Sequence, residues 1–241
     1  MKLARIFSAL LLLGSTQLAT AHGLWLEQTG DSKTLFYGEP ENGVKEVFPG
    51  KLENMKSPEG LVTGADGKRS AIKLVRGATG FALPSSDASR GALAMETGIE
   101  VKDWSKSGVG IVKPMYYARF ASAPLVSAPA ELALDITPSG TANRFVVSYQ
   151  GQPVKKAKVT VIAPNSWTQE HTSDDVGRIA INAPWRGQYV LEVTHTDATA
   201  GVFEGKKYDA IRSRTMLTFV QPSGQEPGQP MPPKAAMMIP Q

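Results

Sequence analysis

The chain has no segment with a sustained apolar period of 3.6 residues, the pattern typical of an amphipathic helix. Short stretches rich in valine, isoleucine, threonine, tyrosine and phenylalanine recur instead between clusters of glycine, proline, aspartate and asparagine. Such stretches predict β-strands joined by turns, and therefore an all-β fold. The expected strands cover residues 23–28, 33–37, 70–75, 91–96, 115–120, 131–136, 144–149, 158–163, 179–182, 188–195 and 213–220.

A stretch of small residues and proline at 121–129 divides the chain into two parts. Such residues neither continue a helix nor pair well as a central strand, so we place a domain boundary here. We expect an N-terminal β-sandwich-like domain over residues 22–129 and a second β-sandwich over residues 130–220. The strand spacing of the second part is typical of an immunoglobulin-like sandwich. Residues 221–241, rich in proline and without aromatic side chains, are expected to be disordered.

Residues 1–21 have the three parts of a secretory signal peptide. Lys2 and Arg5 give a basic start, an apolar run follows, and the small residues Ala-Thr-Ala end the segment. The apolar run is shorter than the roughly 20 residues that cross a bilayer. We expect cleavage after Ala21, export to the periplasm, no transmembrane segment in the mature chain, and His22 as its first residue.

Composition excludes several functional classes. The chain contains no cysteine, which rules out disulfides, thiolate metal ligands and a cysteine nucleophile. Its formal net charge of +4 comes from both signs interspersed along the sequence, which is not the pattern of a nucleic-acid-binding protein. A Gly-x-Ser-x-Gly elbow, a His-Glu-x-x-His motif and a phosphate-binding loop are all missing. Conventional hydrolase and nucleotide chemistry therefore find no support.

Only three histidines occur in 241 residues, and one of them, His22, is expected at the mature terminus. A terminal histidine can chelate a metal ion through its α-amine and its own Nδ1, closing a six-membered ring. These two nitrogen atoms form half of a copper or nickel site. One more imidazole would complete it.

His195 is the better candidate for that imidazole, because it ends the apolar face of a predicted strand. A histidine at the rim of a sandwich can ligate a metal or bond a carbonyl group, and the sequence leaves both open. Asp209 follows a turn and could add an oxygen ligand or orient a histidine, the alternative being a solvated turn aspartate. His171 is expected to have an exposed structural role. The tail methionines could bind a soft ion, namely Met231, Met237 and Met238.

Five segments together carry a resemblance to a known family. They are AHGLWLE (21–27), GQPVKKAKVTV (151–161), PWRGQYVLEVTH (184–195), YD (208–209) and TMLTF (215–219). In these segments the chain resembles a bacterial periplasmic domain family of unknown function that is described as a periplasmic component of nickel or cobalt uptake, similar to the NikM and NikK type proteins.

The resemblance implies an exported β protein whose C-terminal module is immunoglobulin-like or transthyretin-like, and which binds a divalent transition metal ion: nickel, cobalt or copper. It assigns metal binding to His22 and His195, with Tyr208 and Asp209 in the following segment. The implied role is capture of the ion or its delivery to a separate membrane permease. Two other functions stay open: a histidine-brace copper monooxygenase, and a structural or adhesive β module that binds no metal.

Overall fold

The computed structural model describes residues 22–30, 32–64, 67–84, 91–123 and 125–229. The protein is all-β, as the sequence predicts, and helical structure in the described ranges is limited to short 3-10 turns. None of these turns has the length and apolar character needed to cross a membrane. The predicted signal peptide and the tail methionines lie outside the described residues. The turns cover Pro40–Asn42, Lys51–Asn54 and Ser105–Ser107.

Twenty strands occur in the described part of the chain. In chain order they are β1 (Gly23–Thr29), β2 (Ser32–Glu39), β3 (Val44–Lys45), β4 (Glu59–Thr63), β5 (Arg69–Ile72), β6 (Val75–Arg76), β7 (Phe81–Leu83), β8 (Ala92–Glu96), β9 (Lys102–Asp103), β10 (Ile111–Ala121), β11 (Leu134–Pro138), β12 (Arg144–Tyr149), β13 (Gln152–Pro153), β14 (Lys158–Ile162), β15 (Thr168–Thr172), β16 (Arg178–Ala180), β17 (Gly187–Asp197), β18 (Gly201–Phe203), β19 (Lys206–Tyr208) and β20 (Ala210–Gln221). Each predicted strand overlaps an observed one.

A nine-stranded sheet forms the middle layer of the molecule. Its order is β15-β14-β17-β20-β10-β8-β4-β5, with β9 beside β10. The pairing of β10 with β20 is parallel and runs from Val112 opposite Ala210 to Ala121 opposite Phe219. The other pairings in this sheet are antiparallel. The middle sheet therefore continues across the predicted domain boundary at residue 129.

The two central strands of this sheet are covered on both faces. Residues 116–120 of β10 and 215–219 of β20 are all buried. Continuous burial is typical of parallel strands that are packed on either side. It explains why these segments do not show the alternation of polar and apolar residues expected of a half-exposed strand.

One outer sheet, which we call the terminal sheet, covers one face of the middle sheet. Its order is β1-β2-β7-β6, with β3 beside β2. Leu24 and Leu26 of β1 share a buried cluster with Ala118 of β10. Between them along the strand, Trp25 packs in a cluster with Met216 of β20. His22, the residue before β1, therefore lies on the face of the middle sheet that the terminal sheet covers.

A second outer sheet, of order β11-β12-β13 with β16 beside β12, covers the opposite face. The rings of Phe145 on β12 and Phe219 on β20 have centroids 5.4 Å apart. Both belong to a buried cluster that also contains Leu134 and Leu217. The molecule is thus a sandwich of three sheet layers.

The structure differs from the predicted disorder of residues 221–241 in their first part. Gln221 ends β20, and Gln225 donates a backbone hydrogen bond to the carbonyl of Pro184 at 2.9 Å. The carbonyl of Gln225 in turn accepts one from the N–H of Arg186 at 2.9 Å. Backbone hydrogen bonds therefore order the chain near residue 225 against residues 184–186. The sequence argument considered only burial of apolar side chains, which this part of the chain lacks.

Candidate functional site

His22 immediately precedes β1, and the pairing of β1 with β2 brings it beside Glu39. Gly23 is the first residue of the ladder and pairs with Gly38, so that His22 and Glu39 stand just beyond it. Nδ1 of His22 lies 3.6 Å from Oε1 of Glu39. The other oxygen of this carboxylate accepts a hydrogen bond from the side-chain amide of Asn42 at 3.0 Å. Glu39 is therefore held in place with one oxygen facing the imidazole.

A second carboxylate, that of Glu46, contacts the other ring nitrogen of His22, Nε2. The chain turns after β2 and returns along it as β3, and the backbone N–H of Glu46 donates to the Tyr37 carbonyl at 2.9 Å. Gly38 permits this close return. Its φ is +151°, and a Cβ at this position would collide with the carbonyl oxygen of Val44.

These contacts give the two ring nitrogens different environments. A neutral imidazole that donates through Nε2 to a carboxylate has its lone pair on Nδ1, the nitrogen that faces Glu39. Burial alone would raise the pKa of Glu46, but hydrogen bonds from His22 and Lys51 lower it below its usual value. Glu46 is therefore ionised at neutral pH and a strong acceptor for Nε2–H.

Arg214 of β20 binds the backbone of the same histidine. Its Nη1 donates to the His22 carbonyl at 3.2 Å, and its Nε donates to Oγ1 of Thr194 at 3.3 Å. Its Nη2 lies 3.0 Å from Oε1 of Glu192. The start of β1 is thereby joined to the middle sheet as well as to β2.

A buried tyrosine packs against the imidazole, and a second buried tyrosine packs against the first. The ring centroid of Tyr37 is 5.2 Å from that of His22, and the ring centroid of Tyr116 is 5.9 Å from that of Tyr37. Burial, reinforced by the neighbouring Tyr116, raises the pKa of Tyr37 well above its usual value. Burial also raises the pKa of Tyr116. Both phenols are therefore protonated at neutral pH, and they add no negative charge to the site.

His195 points to the opposite side of the middle sheet from His22. The preceding residue, Thr194, bonds Arg214 on the side of the terminal sheet. Successive residues of a strand face opposite sides, so His195 faces the second outer sheet, where its ring centroid lies 4.5 Å from that of Tyr149. The expectation that His195 lies on the apolar inner face of its strand agrees with the structure. That face is the one away from β1, so the structure does not bring the two histidines together.

Asp209 and His171 also lie away from His22. Asp209 is exposed between β19 and β20, and its backbone N–H donates to the Ile111 carbonyl at 2.9 Å. His171 lies on the edge strand β15, with Nε2 2.9 Å from Oε1 of Gln169. Neither is among the contacts that the structure gives His22.

The sequence analysis missed Glu39, Glu46 and Arg214, three of the residues that contact His22. Glutamate and arginine are too common in this chain for their type to mark a site. The local signal is limited to residues 38–46, where Gly38 precedes Glu39, Glu41 and Glu46.

Within the residues that the structure describes, no group of three or more histidine, cysteine, aspartate or glutamate side chains could hold a metal ion. Two possible ligands lie 3.6 Å apart beside β1, Nδ1 of His22 and Oε1 of Glu39. A metal ion bonds to imidazole nitrogen at about 2.0 Å and to carboxylate oxygen at about 2.1 Å, and can bridge a gap of this size. Cleavage before His22 would add a further ligand from the backbone, the α-amine.

The chain matches no protein-family model, and neither the curated proteins nor the solved structures gave a match. The resemblance to the nickel or cobalt uptake family therefore stays a prediction.

Proposed function

We propose that the protein, after cleavage before His22, binds a divalent transition metal ion at its mature terminus in the periplasm. The ion would be nickel, cobalt or copper, and the role capture or delivery in metal uptake. The observation that supports this is the placement of one carboxylate on each ring nitrogen of His22. Glu46 occupies Nε2 and leaves Nδ1, the nitrogen that forms a chelate with the α-amine of the same residue.

Each group would have a distinct role. His22 would supply the α-amine and Nδ1, and Glu39 one carboxylate oxygen. Glu46 would orient the imidazole, as carboxylates commonly do for metal-bound histidines by accepting the other ring N–H. These donors are borderline to hard in character, which suits divalent nickel, cobalt and copper.

The exposure of the site is compatible with reversible binding. The side chains of His22, Glu39 and Glu46 are 20%, 14% and 13% exposed. The imidazole is therefore partly open to solvent, while the partly buried carboxylates stay oriented. Delivery into the cell would require a separate membrane permease, which we propose as the partner.

Two measurements test the proposal: the N-terminal residue of the exported chain, and the affinity of that chain for metal ions. Mass spectrometry should give His22 as the first residue. Calorimetric titration of this protein with Ni(II), Co(II) and Cu(II) should show one site, and His22→Ala should weaken binding by about tenfold or more.

A fusion that leaves a folded partner uncut before His22 is the matched control. It keeps the imidazole and both glutamates but removes the free amine, so its affinity should fall as well. Unchanged affinity in the fusion and in His22→Ala would refute a site at the terminus.

The two alternatives gain less support from the structure. A histidine-brace copper monooxygenase needs a second imidazole beside His22, and the candidate for it, His195, faces the second outer sheet. A β module without a metal would be indicated if the mature protein binds none of the three ions.

A further inference from the structure

Contacts from each of its three guanidinium nitrogens fix the orientation of the Arg214 side chain. Nε, Nη1 and Nη2 contact Thr194, the His22 carbonyl and Glu192 respectively, at 3.3, 3.2 and 3.0 Å. The side chains of Arg214 and Glu192 are only 14% and 16% exposed. A planar guanidinium held through all three nitrogens cannot rotate freely, so the His22 carbonyl faces a fixed donor.

This contact matters for a chain terminus in particular. The first residues of a domain are poorly ordered unless they are tied down. In the mature chain, the carbonyl that Arg214 binds belongs to the residue that carries both the α-amine and Nδ1. Fixing this carbonyl therefore limits the positions that the amine can take relative to the imidazole. Ordering the donors before the ion arrives reduces the entropy lost on binding.

Without this contact, the carboxylates would keep their own supports. Glu39 is bonded by Asn42, and Glu46 by Lys51 at 3.3 Å. A terminus released at its carbonyl, and held only through the imidazole, would thus leave carboxylate oxygen as the best-ordered donor. Carboxylates suit ions such as Mn(II), whereas amine and imidazole nitrogen favour Ni(II) and Cu(II).

We infer that Arg214 is a positioning residue that sets the class of metal ion: by holding His22 it makes the site an amine–imidazole site selective for Ni(II) and Cu(II) over Mn(II). This inference rests on the proposed function. It assigns selectivity to a residue that is not itself a ligand.

The chain offers a matched control in Arg212. It lies two residues before Arg214 on the same face of β20, and its Nη1 donates to Oγ1 of Thr196 at 3.2 Å. Arg214 likewise donates to Oγ1 of Thr194 on the same strand, but through Nε. Replacing either arginine by methionine removes one positive charge from this face, but only Arg214→Met removes the bond to the His22 carbonyl.

The mature wild-type protein, Arg214→Met and Arg212→Met are titrated with Cu(II), Ni(II) and Mn(II). For Arg214→Met we expect the affinities for Cu(II) and Ni(II) to fall by about tenfold or more, the effect typical of losing a group that orients a ligand. The affinity for Mn(II) should change little, so the preference for Cu(II) over Mn(II) shrinks. Arg212→Met should keep the wild-type preference.

The electron paramagnetic resonance spectrum of the Cu(II) protein gives a second readout. Arg214→Met should shift the spectrum from that of a nitrogen-rich site towards that of an oxygen-rich one. Arg214→Lys can still donate to the carbonyl and should recover part of the wild-type spectrum, which a general loss of folding would not allow. An unchanged preference and spectrum in Arg214→Met overturn the inference. A wild-type protein that binds no ion overturns the proposed function itself.

Discussion

Glu46 and Glu39 contact the same imidazole but should affect metal binding differently. Glu46 bonds Nε2 and would orient the ring, whereas Glu39 faces Nδ1 and would bind the ion. We expect Glu46→Gln to weaken Cu(II) and Ni(II) binding by about tenfold, since it removes the charge but keeps an acceptor. Glu39→Gln should weaken it more. Isothermal titration of both variants tests this, with the exposed Glu53→Gln as control; equal affinities in all three would contradict the assignment.

The other histidine with a predicted role provides a test of the opposite kind. His195 packs against Tyr149 on the far side of the middle sheet. We expect His195→Ala to leave the Cu(II) and Ni(II) affinities of the mature protein within about twofold of wild type, because it removes no group near His22. A loss as large as that of His22→Ala would restore the two-histidine site that the sequence suggested.

Asp135 forms a buried ion pair with Arg119, and removing its carboxylate should destabilise the fold. Its two oxygens accept hydrogen bonds from Nε and Nη2 of Arg119 at 2.9 and 2.6 Å, and the side chains are 0% and 4% exposed. Asp135→Ala would leave the guanidinium buried without this partner, which costs about 3–5 kcal/mol. Urea unfolding should show this loss. The exposed pair of Lys158 and Glu170 gives the control, since Glu170→Ala should cost less than about 1 kcal/mol.

At the scale of elements, the turn before β16 depends on a glycine. Gly177 has a φ of +74°, and a Cβ there would lie 2.5 Å from the Val147 carbonyl oxygen of β12. Gly205, in the turn between β18 and β19, has a φ of +78° but no atom within 4 Å of the same position. Gly205→Ala should cost about 1–2 kcal/mol for the left-handed backbone alone. Gly177→Ala should lower the free energy of unfolding in urea clearly more. Equal losses in the two variants would show that the structure shifts to relieve the contact with the Val147 carbonyl oxygen.

The strands that the sequence predicted well are those with a clear local pattern. β12 and β17 alternate or run apolar between turn residues, and both were found close to their predicted limits. The edge strand β15 has the sequence TQEHT, which has no apolar face. The sequence places His171 on a strand here, in alternation with Trp167 and Gln169, but gives that strand no limits. Local patterns report whether a strand is buried on a face, but they do not say which other strand covers it.

The candidate site shows the same limit. The cleavage motif and the rarity of histidine predict a chelating terminus at His22, which stays a prediction. Its neighbours could not be inferred, because Glu46 reaches His22 only through the close return of the chain at Gly38, and Arg214 only through packing between two sheets. A pairing of residues 192 positions apart has no signature in either local sequence.

At the scale of the whole molecule, the parallel pair of β10 and β20 decides whether the two predicted domains are independent. Ten residue pairs join these strands, and both strands are buried on both faces. Separating the halves would expose apolar surface on each side and break the middle sheet. We therefore expect the whole chain to unfold in one cooperative transition.

Two core substitutions, one in each outer sheet, test this expectation. Leu35 of β2 and Phe145 of β12 are both completely buried. Leu35→Ala should cost about 2–5 kcal/mol and Phe145→Ala about 3–5 kcal/mol. If the two halves on either side of residue 129 unfold together, each variant lowers the urea midpoint of both halves. Amide hydrogen exchange during urea unfolding follows the two halves separately. Should each variant destabilise only its own half, the boundary at residue 129 separates two folding units, and the β10 and β20 contact is an interface rather than a shared core.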